Sequence, residues 1–425
     1  MANGVRGTPY AQAVSDAAKK RFSLVLRLLL AVPLVAVPAI AYVVITGDDG
    51  AARPAVAQGS LGGTFHPVAG SFEPDTTQLA DCGADFVCLE QAFGNIAYRR
   101  GPAVALTLFD RRIAEDENVL ADCHRISHWI GSASFARYDG SVARTFAQGS
   151  ASCGSGYYHG ILERAFLGIS SKAELAKAAR SICAGQGLRR RGYLDRQCRH
   201  GLGHGLMIQT GYDLPTALSL CGSLPTGWDH LTCTNGVFME NANTRFGFRS
   251  PWLNDEDPLY PCNELAPFDR RHCFARASTQ ILKLNGNDFE AAAGTCSSLA
   301  PRWARHCFRG LGRDAVDLRF VPEKTLERCR LAARWEGDCL FGAARWVLDG
   351  RGSEGGGGAV AFCNRASSAV RSECFRAIGG VLGLQYSSNA ARRRACAKVT
   401  RVYVDACTSA AIAEVDPTGR EEAWG

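Results

Sequence analysis

The sequence predicts an all-α chain: one N-terminal transmembrane helix followed by an extracytoplasmic α-solenoid of disulfide-stapled helical hairpins. Three observations predict it. An uncharged apolar stretch runs from Leu28 to Thr46, all 18 cysteines follow that stretch, and the cysteines recur in pairs with a period of about 33–40 residues.

At 425 residues the chain is long enough for several domains or for one long repeat array, and its 46% apolar content excludes wholesale disorder. The first 46 residues hold five basic residues, Arg6, Lys19, Lys20, Arg21 and Arg27, against Asp16. They carry +4 of the formal +7, and the remainder is left near +3. That balance argues against nucleic acid as a partner.

Residues 1–27 read as a cytoplasmic segment and residues 28–46 as the membrane helix. Nineteen residues without a charge match a hydrocarbon core of about 30 Å. Lys19, Lys20, Arg21 and Arg27 precede the span and Asp48 and Asp49 follow it, so the positive-inside rule places the N-terminus in the cytoplasm and the rest outside. A cleaved signal peptide is the rival reading. Its Ala-x-Ala sites fit poorly, because Ala39-Ile40-Ala41 lies within the apolar run and Ala55-Val56-Ala57 lies well beyond it. Cysteine usage supports the same topology independently, since disulfides persist in oxidising compartments. There is no C-x-x-C pair, which disfavours a zinc ribbon or a redox motif. Residues 47–78, rich in Ala, Gly, Pro and Ser, read as a tether.

Residues 79–413 read as the repeat domain. Taken in order, the cysteines form nine consecutive pairs: Cys82 with Cys88, Cys123 with Cys153, Cys183 with Cys198, Cys221 with Cys233, Cys262 with Cys273, Cys296 with Cys307, Cys329 with Cys339, Cys363 with Cys374, and Cys396 with Cys407. Successive second cysteines from Cys198 onward are 35, 40, 34, 32, 35 and 33 residues apart, a repeat signature. Around each pair a helical pattern ends just past the first cysteine and another begins just before the second, with a short polar or Pro/Gly break between them. An antiparallel hairpin sets two such sulfurs at similar height, so sequential pairing is expected. The period resembles that of tetratricopeptide-type hairpin solenoids, whose W-x-x-L-G-x-x-Y signature is absent. The Gly355–Gly358 run reads as an inter-helix loop, and residues 414–425 as a disordered tail. Two arginine runs, Arg189-Arg190-Arg191 and Arg392-Arg393-Arg394, read as solvated helix ends.

Aligning the units on their second cysteines separates scaffold from chemistry. Three positions past that cysteine stand Gly156, Gly201, Gly236, Gly310, Gly342, Ala377 and Ala410, which predicts closely crossing helices. The Cys273 unit departs from the rule and carries Arg276 there. His272 and His306 sit in matching R-H-C-F contexts and read as repeat consensus at exposed helix starts.

Five other histidines cluster in the early units, residues 79–245, whereas residues 246–413 read as regular scaffold. His124 and His128, and likewise His200 and His204, stand four apart, and His159 and Glu163 repeat the spacing. Residues four apart share a helix face. Glu240 and Asn241 take the corresponding place in the next unit, whereas Arg313, Trp346 and Leu382 take it later. With neighbouring helices about 10 Å apart, His159, Glu163, His200 and His204 can converge on one metal ion, with His124 and His128 as further ligands or a second site. Such a set suits zinc, copper or iron. Glu163 or Glu240 could then serve as general base, and Gly160, Gly203 and Gly205 could admit a substrate.

Two functions follow. One is a membrane-anchored metal-binding protein, in its sharper form a metalloenzyme. The other is a non-enzymatic array whose concave face binds a cell-envelope protein or peptide while the histidines build a polar seam. No H-E-x-x-H and no G-x-S-x-G occurs, so neither the common zinc-protease arrangement nor a serine elbow is expected.

Overall fold

The computed structural model describes residues 71–184, 188–242, 249–350 and 352–416, all within a compact unit spanning 56–425. The predicted cytoplasmic segment, the membrane helix 28–46 and most of the tether lie outside the described residues. Among the described residues no helix is long and apolar enough to cross a membrane, and there is no strand.

Ten helices form a consecutive inner array. They are α1 (Phe86–Arg100), α2 (Cys123–Arg137), α3 (Ser152–Arg164), α4 (Tyr193–Gln209), α5 (Gly227–Asn241), α6 (Pro267–Leu284), α7 (Pro301–Asp314), α8 (Glu336–Gly350), α9 (Arg371–Gln385) and α10 (Val404–Ala413). Each packs on the next, and shorter helices such as Lys172–Ile182, Leu214–Gly222 and Phe289–Ser297 flank them.

Local signals account for these elements. The side chains of Asp85, Thr226, Asp288 and Ser388 accept hydrogen bonds from backbone amides in the first turn of the helices they precede. Pro267 and Pro301 open α6 and α7 at the position where a missing N–H costs nothing.

All nine disulfides join the cysteines in sequential order. Cys82 bonds Cys88, Cys123 bonds Cys153, Cys183 bonds Cys198, Cys221 bonds Cys233 and Cys262 bonds Cys273. In the later units Cys296 bonds Cys307, Cys329 bonds Cys339, Cys363 bonds Cys374 and Cys396 bonds Cys407. Their Cα–Cα distances are 5.2–5.8 Å. Cys307, Cys339, Cys374 and Cys407 are fully buried, so the later bridges are part of the core, whereas Cys88, Cys123 and Cys153 are half-buried. Nine such bridges indicate an oxidising compartment outside the cytoplasm.

The units are joined by a recurring aromatic contact. Phe274, Phe308 and Phe375 each follow a second cysteine and are fully buried. They pack on Trp303, Trp335 and Tyr403, each four residues before the next second cysteine, at centroid distances of 5.7, 5.7 and 5.4 Å. A flat ring at that place couples neighbours through a large apolar face.

The array curls back on itself. Helix α8 packs against α3 and α9 touches α4, so each of these helices meets the one five places further along the array. The arginine run 189–191 helps close that turn and is not simply solvated: Arg189 donates to the Leu384 carbonyl, Arg191 to the Val415 carbonyl, and Arg190 stands 3.4 Å from buried Asp229. In the second run Arg392 is buried and donates to the Gly383 carbonyl.

Three expected boundaries move. Gly355–Gly358 lies inside a helix, Gly352–Arg365, which buried Ala359, Phe362 and Cys363 anchor to the core despite the weak helix preference of glycine. The last residues of the expected tether belong to the domain, because Phe72 is buried edge-on against Trp129 and Asp75 bonds Asn95. Glu414, placed in the tail, is buried and paired with Arg345 at 3.1 Å, and its carbonyl accepts from Trp228. The two consensus histidines are not exposed either. His272 is half-buried, with Nδ1 2.8 Å from the Asn235 amide nitrogen. His306 is buried beside Trp303, and burial together with Arg309 pushes its pKa down to about 3.

Candidate metal centre

The histidine-bearing helices meet because glycine lets their backbones touch. A Cβ at Gly160 of α3 would fall 1.9 Å from the His128 carbonyl oxygen of α2, and one at Gly236 of α5 would fall 1.9 Å from the His200 carbonyl oxygen of α4. Only a residue without a side chain fits there. Gly203 and Gly205 likewise abut the backbone of Cys233 and Leu162, so these glycines bring helices together and do not open a way for a substrate.

All seven residues expected at the site come together. His128, His159, His200, His204, Glu163 and Glu240 are buried, with His128, His159 and His204 no more than 2% exposed, and His124 is half-buried. The imidazole centroids of His124 and His128 each lie 5.4 Å from that of His159, and those of His200 and His204 lie 4.8 and 4.6 Å from it. His159 is therefore the hub of two triads, His124–His128–His159 and His159–His200–His204, each with ligand atoms within 4.8 Å of one another. Glu163, His204 and Glu240 form a third such group.

Hydrogen bonds at Nδ1 set the tautomers. His124 Nδ1 is 2.6 Å from the Cys153 carbonyl oxygen, His128 Nδ1 is 2.6 Å from Glu163 Oε1, and His204 Nδ1 is 2.9 Å from Glu240 Oε2. A carbonyl and a carboxylate only accept, so each Nδ1 carries the proton and each Nε2 presents a lone pair. The Nε2 atoms of His124 and His128 then face each other at 3.1 Å without a proton between them. On the other side the Nε2 atoms of His200 and His204 are 3.4 Å apart. Two nitrogens on one tetrahedral zinc, each about 2.05 Å from it, are separated by about 3.3 Å. Both ring nitrogens of His159 and Nδ1 of His200 are buried without a hydrogen-bond partner. Orphaned buried nitrogens are costly in a protein interior and call for an ordered water or an ion.

The electrostatics keep the His124, His128, His159 and His200 rings neutral. Burial holds the pKa values of His124, His159 and His200 well below the ordinary histidine value, and repulsion from neighbouring imidazoles adds to it. His128 is lowered by burial too, against the pull of Glu163. Burial works against the Glu163 carboxylate, but His128 and Arg125 outweigh it and hold its pKa well below the usual range. Arg125 lies 4.0 Å from Glu163 and 3.9 Å from Glu90, extending a buried charged chain away from the rings.

The backbone beside His124 is unusual. Cys153, Gly154 and Ser155 all have left-handed φ, at 49, 67 and 65°, and only then does α3 become regular. Non-glycine residues pay about 1–3 kcal/mol for that conformation. It is held by the Cys123–Cys153 bridge and by a 2.7 Å hydrogen bond between Ser155 and Tyr193, and it aims the Cys153 carbonyl at His124.

A cavity of about 1530 Å³ reaches the cluster, with His124, His128 and His204 in its wall together with exposed Leu318 and Arg319. A smaller space of about 210 Å³ touches His159 and His200. Trp346, Met239, Arg276 and Arg313 line both.

Sequence reasoning missed Tyr212, whose hydroxyl donates to Glu240 Oε1 at 2.5 Å, the Arg125–Glu90 pair, and the Cys153 carbonyl. Tyr212 lies in a turn with φ 63°, outside any helical period. Arg125 directly follows His124, which was the available signal. No protein-family model, curated protein or solved structure matches this chain.

Proposed function

We propose that the five histidines form a transition-metal centre and that the protein is an extracytoplasmic metal-binding protein, anchored in the membrane through residues 28–46. The observation that carries this reading is the facing of lone pairs: Nδ1–H groups fixed on Cys153 and Glu163 leave the His124 and His128 Nε2 atoms opposed at 3.1 Å. An all-imidazole inner set without thiolate suits zinc, copper or iron. Glu163 and Glu240 act chiefly as positioning residues, since each is committed to a histidine Nδ1–H, which raises ligand basicity and fixes ring orientation.

A metal here would polarise or activate a small molecule or water arriving through the cavity, and enzymatic turnover is the finer form of the reading. The rival, an open concave face that binds an envelope protein, is favoured less because the array curls until α8 meets α3. The test is elemental analysis of the purified full-length protein, before and after chelation and reloading. Stoichiometric zinc, copper or iron is expected in the wild-type chain and a loss of it in His159→Ala. A wild-type protein that neither carries nor takes up metal would overturn the reading.

A further inference from the structure

The histidine cluster leaves one inward-lying charge unexplained. Seven units place glycine or alanine three residues past the second cysteine, and the Cys273 unit places Arg276 there. The small residue elsewhere lies against the preceding helix: a Cβ on Gly310 would fall 2.2 Å from the Ala275 carbonyl oxygen, and one on Gly342 would fall 1.8 Å from that of Arg309. Arginine cannot pack so closely. Helix α6 rests on α5 more loosely than any other consecutive pair of inner helices, and the Arg276 guanidinium reaches Asn235 of α5.

Arg276 is half-buried and lines both the large cavity beside His124, His128 and His204 and the small one beside His159 and His200. Its Nη2 donates to Asn235 Oδ1 at 3.0 Å, and it has no ion pair among the described residues. Other arginines around the small cavity do have carboxylates: Arg196 stands 3.8 Å from Asp349, Arg309 2.9 Å from Asp338, Arg313 2.6 Å from Asp314 and Arg345 3.1 Å from Glu414. Desolvation, and then the like charge of Arg313, weigh against the protonated guanidinium more than Asp314 and Asp349 favour it, and push its pKa well below the ordinary value. A half-buried guanidinium whose direct hydrogen-bond partner is a neutral amide oxygen keeps donors free to face the cavity.

We propose that Arg276 anchors the anionic end of a small carboxylate- or phosphate-bearing molecule, whose other end reaches the histidine cluster. The planar fork of a guanidinium matches either oxyanion in bidentate fashion, with Asn235 fixing one arm of the fork. The large cavity exceeds the size of ordinary ligand pockets, so such a molecule fits. The inference rests on the metal reading and deepens it by naming the class of molecule presented to the centre.

Calorimetric titration of the metal-loaded full-length protein with inorganic phosphate, and separately with malonate, tests it. Saturable binding of at least one anion is expected, weaker by about tenfold or more in Arg276→Gln and intermediate in Arg276→Lys, with metal content unchanged in both. Arg276→Gly restores the residue common in the other units and serves as a folding control. Binding that is equal in wild type and Arg276→Gln, as a direct metal–anion contact would give, overturns the proposal, as does no binding of either anion. Arg276-dependent binding in a chain that takes up no metal would leave the anion site standing and sink the metal reading. Stoichiometric metal with no Arg276-dependent binding would do the reverse.

Discussion

At the scale of single residues, the centre depends on protons kept on one side of each ring. Replacing the acceptor of a histidine Nδ1–H weakens metal affinity by about 10–100-fold in sites of this kind. Glu163→Gln and Glu240→Gln should each lower affinity within that range, measured by competition with a chromophoric chelator, while the far-ultraviolet spectrum stays unchanged. A second prediction concerns pH. The folded-state pKa values of His124, His128, His159 and His200 lie below the unfolded value near 6.5. Above that pH both states are neutral and the folded state keeps its full stability. As pH falls through about 6.5 the unfolded chain takes up protons that the folded chain refuses, so stability is lost by up to about 1.4 kcal/mol per pH unit for each histidine. Urea denaturation of the metal-free protein from pH 8 to pH 5 should show that decline, and a flat profile would contradict the buried neutral rings.

At the scale of helices, the site rests on contacts that a single methyl group would break. Gly160→Ala places a Cβ against the His128 carbonyl and should cost about 1–3 kcal/mol, read as a lower melting temperature, with metal affinity falling in parallel. The periodic part of this arrangement was legible from sequence. Cysteine order gave the pairing, because hairpin geometry leaves neighbouring sulfurs no closer partner, and four-residue spacing gave His124 with His128 and His200 with His204. The rest was not legible, for identifiable reasons. The acceptor for His124 is a backbone carbonyl, which no side-chain pattern records. Tyr212 reaches Glu240 from a left-handed turn, and Phe362 makes a helix of a glycine run whose own preference points the other way.

At the scale of the whole molecule, the curled array holds its last described residues against helices from its middle. Glu414, past the last inner helix, pairs with Arg345 of α8 while its carbonyl receives the Trp228 indole of α5. Breaking one half of a buried ion pair costs about 3–5 kcal/mol. Glu414→Ala should therefore destabilise the protein by about 3 kcal/mol in urea denaturation, although it lies far from the histidines in sequence. Closure of this kind was invisible in the repeat period, which fixes the relation of each unit to the next but not the turn after which the array meets itself.

The Cys123–Cys153 bridge holds the left-handed turn that aims a carbonyl at His124. Under the metal reading this imposes a chronology on biogenesis. A reduced chain lacks the bridge that holds this turn, so under that reading metal uptake would follow disulfide formation.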